Sequence, residues 1–393
     1  MLEYAGSQRT GARSRRREAG DLVAVVRSVD WILLGGVLAL VGVGLWAISG
    51  ITLHDITDHP HYFLYRQSVY AAVGIAGLVV ATLIDPDVYR RYWRLIFVAT
   101  ASVIVLVFIA GPVTRGSHRW LHLGSFTFQP SEFGKLLFVL ALAGFLAERA
   151  RRIGDADTTL RTIGLGAIPL VLVFLQPDLG TALVYAAALA AVLFVAGTRW
   201  LHLSALGIAV VVAVLLVLWI LPSAGFHVLK PYQQKRITGF VHPTSDPSGA
   251  TYNIEQSITA LASGQMRGRG PNGSTQTNLD FIPEKNTDFV FASYGEQRGF
   301  IGAILLLGLY LLVVWRGLRV VTVAGDLFSS IVAGGIVVAF LFQIFVNVGM
   351  TIGIAPITGI PLPFVSVGGS SMISNLVAVG VLQAIHVRGR RRR

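Results

Sequence analysis

The sequence predicts an all-α polytopic membrane protein of ten transmembrane helices with both termini cytoplasmic, and three observations predict it. The first is composition. Of 393 residues, 54% are hydrophobic and 13% charged, against a charged fraction of ~25% in an ordinary soluble domain. The second is length: apolar runs recur that approach the ~20 residues an α-helix needs to cross about 30 Å of hydrocarbon. The third is the position of the arginines. The formal charge of +12 is gathered in tails and short connections, which suits contact with an anionic leaflet. It does not line a polar face, so the membrane rather than nucleic acid is the expected partner. The absence of cysteine excludes disulfide frameworks and thiolate metal sites.

Residues 1–29 read as a basic cytoplasmic tail carrying Arg9, Arg13, Arg15, Arg16, Arg17 and Arg27. The apolar stretch that follows is too long for the core of a signal peptide and reads as an uncleaved first span. The spans are expected at residues 30–50, 66–84, 93–111, 131–148, 161–176, 178–196, 201–221, 297–316, 327–349 and 365–386. Only Gln176-Pro177-Asp178 separates the fifth from the sixth. Two spans fit better there, because one helix of that combined length would overshoot the hydrocarbon.

Arginine in short loops sets the orientation. With the N-terminus inside, Arg90, Arg91 and Arg94 fall inside, as do Arg149, Arg151, Arg152, Arg161, Arg199, Arg316 and Arg319. The C-terminal tail, 387–393, follows them with Arg388 and Arg390 to Arg393. Arg115 and Arg119 fall outside and dissent. The membrane domain is expected over 30–386, with a large structured extracytoplasmic loop, 222–296, between helices 7 and 8. No internal repeat or second domain is visible. Within that loop the stretch from Leu229 to Phe300 is polar and glycine-rich, yet it carries aromatic and aliphatic residues throughout, which argues against disorder. It is far longer than a connection of about 4–6 residues, so chemistry is expected where it meets the membrane.

Four polar constellations lie near that edge. A charge within a span costs about 2.5–3.5 kcal/mol on insertion scales, so such residues are paired or functional. The first runs from Phe281 to Ala292 and contains Asp288, with apolar residues on its C-terminal side. A partly desolvated carboxylate suits a general base; the alternative is a helix N-cap. Glu284 is the second candidate base. The next constellation, Gln129-Pro130-Ser131-Glu132-Phe133-Gly134-Lys135, puts Glu132 and Lys135 on one helix face, where they can neutralise each other. Another carboxylate, Asp178, stands in Gln176-Pro177-Asp178-Leu179-Gly180-Thr181 and could share Lys135 with Glu132; a purely structural network or a cap is the alternative. The last, Gly359 to Ser371, holds two prolines and several hydroxyls, Ser366 and Ser370 among them. Non-helical backbone at membrane depth must be buried in protein or line a wet cavity; packing through small residues is the other reading. Asn347 and Asn375 are the side chains expected to satisfy its freed backbone. His59 and His61 read as loop residues rather than metal ligands, and Gly268 and Gly270 follow no strand that would make a nucleotide-binding loop.

Together these segments resemble the SEDS family (shape, elongation, division and sporulation proteins), the RodA and FtsW group. The likeness is carried by Asp30-Trp31, Tyr65-Arg66-Gln67, Arg119-Trp120, Gln129-Pro130-Ser131-Glu132, the Gln176 to Thr181 segment, Pro283-Glu284, Thr287-Asp288-Phe289, Gly295-Glu296, Pro361-Leu362-Pro363, Ser366 and Gly368-Gly369-Ser370-Ser371. Asp30-Trp31 and the portion from Tyr252 to Gly270 look more like RodA than FtsW.

The resemblance implies a peptidoglycan glycosyltransferase that joins lipid II units into β-1,4 glycan strands in cell-wall elongation, releasing undecaprenyl diphosphate at the outer face of the bacterial plasma membrane. It implies that Asp288 is the family's essential aspartate, in a Pro-Glu-x-His-Thr-Asp-Phe motif that has Asn286 here where the family usually has His. Glu132, Lys135 and Asp178 fall on its buried Glu–Lys–Asp group. Its members work with a class B penicillin-binding protein, whose transpeptidase crosslinks the growing glycan strand. Inversion at the anomeric carbon needs one base, the role expected of Asp288, and cations opposite it, for which Arg66, Lys135, Arg236 and Lys230 are candidates. Substrate contacts are expected from Arg66, Glu132, Lys135, Asp178, Arg236, Glu284, Ser366 and Ser370. A divalent cation, Mg or Mn, on the diphosphate is compatible with this chemistry, but no dedicated ligand cluster is visible. A flippase for the lipid-linked precursor and a non-catalytic scaffold are the rival readings. A transporter should show midplane polar sites and often inverted repeats, whereas here polarity concentrates at the outer boundary.

Overall fold

The computed structural model describes residues 27–56, 58–111, 119–123, 126–223 and 250–391. Arg236, Lys230, Arg115 and nearly all of the N-terminal tail lie outside the described residues. In chain order the helices are α1 Trp31–Ile51, α2 Tyr62–Leu83, α3 Pro86–Arg91, α4 Trp93–Ala110, α5 Pro130–Glu148, α6 Ala156–Leu175, α7 Leu179–Ala196, α8 Trp200–Leu215, α9 Ala250–Gly264, α10 Gly270–Gly273, α11 Thr275–Asn278, α12 Val290–Val323, α13 Leu327–Thr351 and α14 Gly369–Arg391. Nine helices among the described residues are long and apolar enough to cross a membrane, so this is a multi-pass membrane protein. The expected third span coincides with α4, whose apolar part, Trp93–Ile109, is shorter than the rest.

The break between the fifth and sixth spans is real. Helix α6 ends at Leu175, and α7 restarts at Leu179 with Asp178 as its N-cap, the carboxylate accepting from Thr181 N at 3.1 Å. Gly180 is needed there because a Cβ would strike the carbonyl of Thr358. One departure from an all-α chain precedes α5. Strands β1 Leu121–Leu123 and β2 Phe126–Phe128 pair antiparallel, with Leu121 opposite Phe128 and Leu123 opposite Phe126. Three-residue strands are too short to show a period of two in sequence.

Helix α12 corrects the expected eighth span, 297–316. It has 34 residues, about 51 Å at 1.5 Å per residue, too long for ~30 Å of hydrocarbon. It is broken at Gly299, where φ is +67° and ψ −169°. The break frees amide donors, and the chain after α9 accepts them: Phe300 N bonds Gln265 O at 2.7 Å and Ile301 N bonds Met266 O at 3.2 Å. The crossing requires glycine on both sides, since a Cβ on Gly299 would meet the backbone of Gly268 and one on Gly268 that of Gln297. At its far end α12 runs on to Val323, so Arg316 and Arg319 are helix residues and not loop residues.

Arg316 is buried and grips Asp30, Nη2 to Oδ2 at 2.7 Å and Nε to the two oxygens at 3.0 and 3.2 Å. Asp30 also caps α1 through Leu33 N, and its backbone exchanges two 2.9 Å hydrogen bonds with the amide of Gln383. Three helices are thereby locked at one end. Helices α5, α13 and α14 form the interior, with α14 against α2. No residue of α8 is buried within the chain. Beyond the membrane core, α9 packs on α12 and α13, with Ser257 Oγ donating to Thr351 O at 2.7 Å. A second small core, including Ile282, Phe289 and Met350, seats the end of the loop there.

Candidate functional site

The segment from Pro283 to Phe289 is a series of turns ahead of α12, and its carbonyls are held one by one. Glu284, at φ +52°, accepts from Thr287 N and Phe289 N, both at 3.2 Å. Asn286 O accepts from Val367 N at 2.9 Å, Thr287 O from Ser366 Oγ at 2.6 Å, and Asp288 O from Asn347 Nδ2 at 2.8 Å. Thr287 Oγ1 donates to the Glu284 carboxylate at 3.1 Å, so Glu284 shapes the turn. Asp288 itself is half-buried. The N-cap position of α12 is Phe289, the residue after Asp288.

The break over 359–368 forms the opposite wall, buried in protein as non-helical backbone at this depth must be. Ser366 Oγ accepts from Leu362 N at 2.8 Å while donating to Thr287 O. The Gln67 amide donates to Ser366 O at 3.1 Å and accepts from Gly368 N at 3.2 Å. Asn347 Nδ2 also reaches Ile360 O at 2.8 Å, as expected for a side chain relieving freed backbone. Asn375 does not share that task; it donates to Ser371 Oγ at 3.2 Å within its own helix.

Glu132 and Lys135 are both buried on α5. Lys135 Nζ lies 3.0 and 2.9 Å from the two Glu132 oxygens and 2.9 Å from Gln343 Oε1 on α13. A small cavity opens beside them, lined also by Phe340, Ser374 and Asn375. Asp178 does not share this lysine. Its carboxylate accepts from Gln129 Nε2 at 3.1 Å, and its nearest cation is Arg119, 3.9 Å away. Arg119 also donates to the carbonyls of Gln176, at 2.9 Å, and Pro177. An arginine that seemed to dissent from the charge rule thus closes the end of α6. Ser370, also buried, ties this region to α14, its hydroxyl accepting from Gln129 N at 2.9 Å and donating to Thr127 O at 3.1 Å.

Arg66 lies apart from that cavity. It hydrogen-bonds the hydroxyls of Tyr62 and Tyr70 at 3.2 and 3.0 Å and stacks over both rings, lining a groove over residues 58–70. Successive helix residues point about 100° apart, which is why Gln67 turns inward to Ser366 while Arg66 stays in the groove. Two further residues near these motifs carry roles that sequence spacing does not reveal. Glu296, fully buried, accepts from Gln276 N and Thr277 N at 2.9 Å and from Thr277 Oγ1 at 2.6 Å, anchoring α11. Lys285 is the other. A carboxylate inside the first turns of a span was the available signal for Glu296. Among the described residues no three His, Asp or Glu side chains gather as a metal site.

Fold and site define a helical multi-pass membrane protein with a carboxylate turn seated on a broken helix above a buried charged cavity. Residues 27–391 match the cell cycle protein family model FtsW/RodA/SpoVE, and the chain belongs to that family. It is 34% identical over 361 residues to the peptidoglycan glycosyltransferase MrdB of Escherichia coli (strain K12), covering 91% of this chain and 94% of that protein. It is also 34% identical over 374 residues to stage V sporulation protein E of Bacillus subtilis (strain 168), covering 93% and 97%. Among solved structures it is similar to a chain from a study of structural coordination of polymerization and crosslinking by a peptidoglycan synthase complex, with a TM-score of 0.77 at 30% identity over 92% of this chain and 98% of that one. The rod shape determining protein RodA of Thermus thermophilus gives a TM-score of 0.67 at 27% identity, over 91% and 96%.

Proposed function

We propose that the chain is a peptidoglycan glycosyltransferase that polymerises lipid II at the outer face of the bacterial plasma membrane, with Asp288 as general base. The observation that carries this reading is the turn itself: Asn286, Thr287 and Asp288 each give a backbone carbonyl to the 359–368 break or to α13. A carboxylate so fixed at the membrane edge suits a headgroup whose lipid stays in the bilayer. The GlcNAc 4-hydroxyl attacks the anomeric carbon of a MurNAc-diphosphate-undecaprenol while Asp288 takes its proton. The carbon–oxygen bond to the diphosphate breaks with its electron pair on the leaving group, which needs charge stabilisation and no proton. Lys135, Arg66 and Arg236 are the candidate cations. Glu132 and Asp178 tune and hold the polar wall, Glu284 shapes the turn, and Ser366 and Ser370 position the elements around the substrate.

In this reading α4 is the third of ten spans, both termini are cytoplasmic, and the 222–296 loop faces out. The membrane domain is 30–386, between basic tails 1–29 and 387–393. Similarity to a chain of a peptidoglycan synthase complex supports a class B penicillin-binding protein as partner, and the likeness to RodA favours elongation over division. The experiment is reconstitution of purified protein in liposomes with lipid II. Glycan from the wild type and none from Asp288→Ala is expected; translocation without glycan from the wild type contradicts the assignment and favours a flippase.

A further inference from the structure

Lys285 lies in the same turn, three residues before Asp288, and takes no part in the chemistry above. Its side chain is 9% exposed; it donates hydrogen bonds to Asp280 Oδ1 at 2.6 Å and the Thr277 carbonyl at 3.1 Å, and it forms an ion pair with Asp55 Oδ1, 2.6 Å away. Burying an ammonium is costly unless it is well paired, so this position is not a solvated lysine that happens to lie near acids. Burial pulls its pKa down, but hydrogen bonds and charge from Asp280 and Asp55 outweigh that and hold it above the usual lysine value. The partners come from separate segments. Asp55 belongs to the connection between α1 and α2, which runs directly into the groove of His59, Tyr62 and Arg66. Thr277 is in α11, itself anchored by Glu296.

The Asp288 turn is held to α13 and the 359–368 break through its backbone, as described above; it is held to the α1–α2 connection through Lys285. We propose that Lys285 is a positioning residue, which by clasping Asp55, Asp280 and the Thr277 carbonyl fixes the Asp288 turn relative to the Arg66 groove. The inference rests on the reading of Asp288 as the base. The two carboxylates are unequal. Asp280 is 78% exposed and Asp55 14%, and an exposed partner is screened by water and contributes little. The Asp55 arm should therefore dominate.

The test is lipid II polymerisation by the purified full-length chain, at saturating and limiting lipid II, with melting temperature measured alongside. Small misplacements of a reacting group cost up to about 100-fold, so Lys285→Met is expected to lower saturating turnover about 10-fold or more. The half-saturating concentration should change little, turnover per folded molecule should fall by more than any loss of melting temperature accounts for, and Lys285→Arg should recover most of the rate. Asp55→Asn should approach the Lys285→Met rate, Asp280→Asn should stay near wild type, and Asp55→Asn with Lys285→Met should be no worse than Lys285→Met alone. Wild-type turnover per folded molecule in Lys285→Met, failure of Lys285→Arg to recover, or losses that simply follow melting temperature would each overturn the proposal. If Lys285→Met does not fold, Asp55→Asn carries the same comparison. An Asp288→Asn control separates the two claims: if it is inactive while Lys285→Met is normal, only the clasp is wrong, and if it is active, the base assignment is wrong.

Discussion

Two buried ion pairs in this molecule are built differently. Asp30–Arg316 joins residues 286 apart in sequence, and through Gln383 it also binds a third helix. Its carboxylate is engaged by a cap and a two-point grip, which makes it a lock. Glu132–Lys135 joins neighbours on a single helix. Burying such a pair sets the desolvation of two charges against their mutual attraction, and replacing a buried pair by apolar groups is often neutral or stabilising. Among the described residues only Gln343 ties the pair to another helix by a hydrogen bond, and a cavity opens beside it. Burial alone therefore does not mark a functional charge, and the two pairs give the proposed role of Glu132 and Lys135 a direct comparison.

The largest effect should come from breaking the second pair. Glu132→Gln or Lys135→Met leaves one buried charge unmatched, at about 3–5 kcal/mol of stability, and should abolish most polymerisation. The double variant Glu132→Gln/Lys135→Met should regain stability without regaining activity, as melting curves and lipid II turnover would register. Recovery of both together would make the pair merely structural. At the first pair the expectation reverses. Asp30→Asn should cost roughly 3–5 kcal/mol in unfolding measurements yet keep turnover per folded molecule near wild type.

The smallest effect concerns pH. Because the folded pKa of Lys285 is raised, its contribution to stability is fully present below the ordinary lysine value and is lost only as pH rises through the folded value. The stability difference between wild type and Lys285→Met should accordingly stay constant from mildly acidic to mildly basic pH and shrink only in strong alkali. A difference that changes near neutrality would contradict the clasp geometry.

Much of the frame was readable because it depends on local signals. Apolar length marked the spans, Pro177 and Asp178 marked the α6–α7 break, and the Pro361 to Ser371 run marked the broken helix. Long-range pairing was not readable. Hydropathy places Arg316 at the end of the eighth span and says nothing of its partner Asp30, which lies near the other end of the chain. Arg119 looked like a topological exception for the same reason, since the carbonyls it binds belong to Gln176 and Pro177. Charge alone suggests Lys135 as the partner of Asp178, and nothing local marks Lys285, whose partner Asp55 lies 230 residues earlier in the chain.

The central claim is that Asp288 takes the proton of the attacking hydroxyl. The most direct measurement is the lipid II polymerisation rate of purified Asp288→Asn beside wild type, with lipid II binding and melting temperature checked on the same preparations. Loss of a general base should lower the rate by about 10²–10⁴-fold, with binding and melting temperature unchanged. A rate close to wild type would contradict the account.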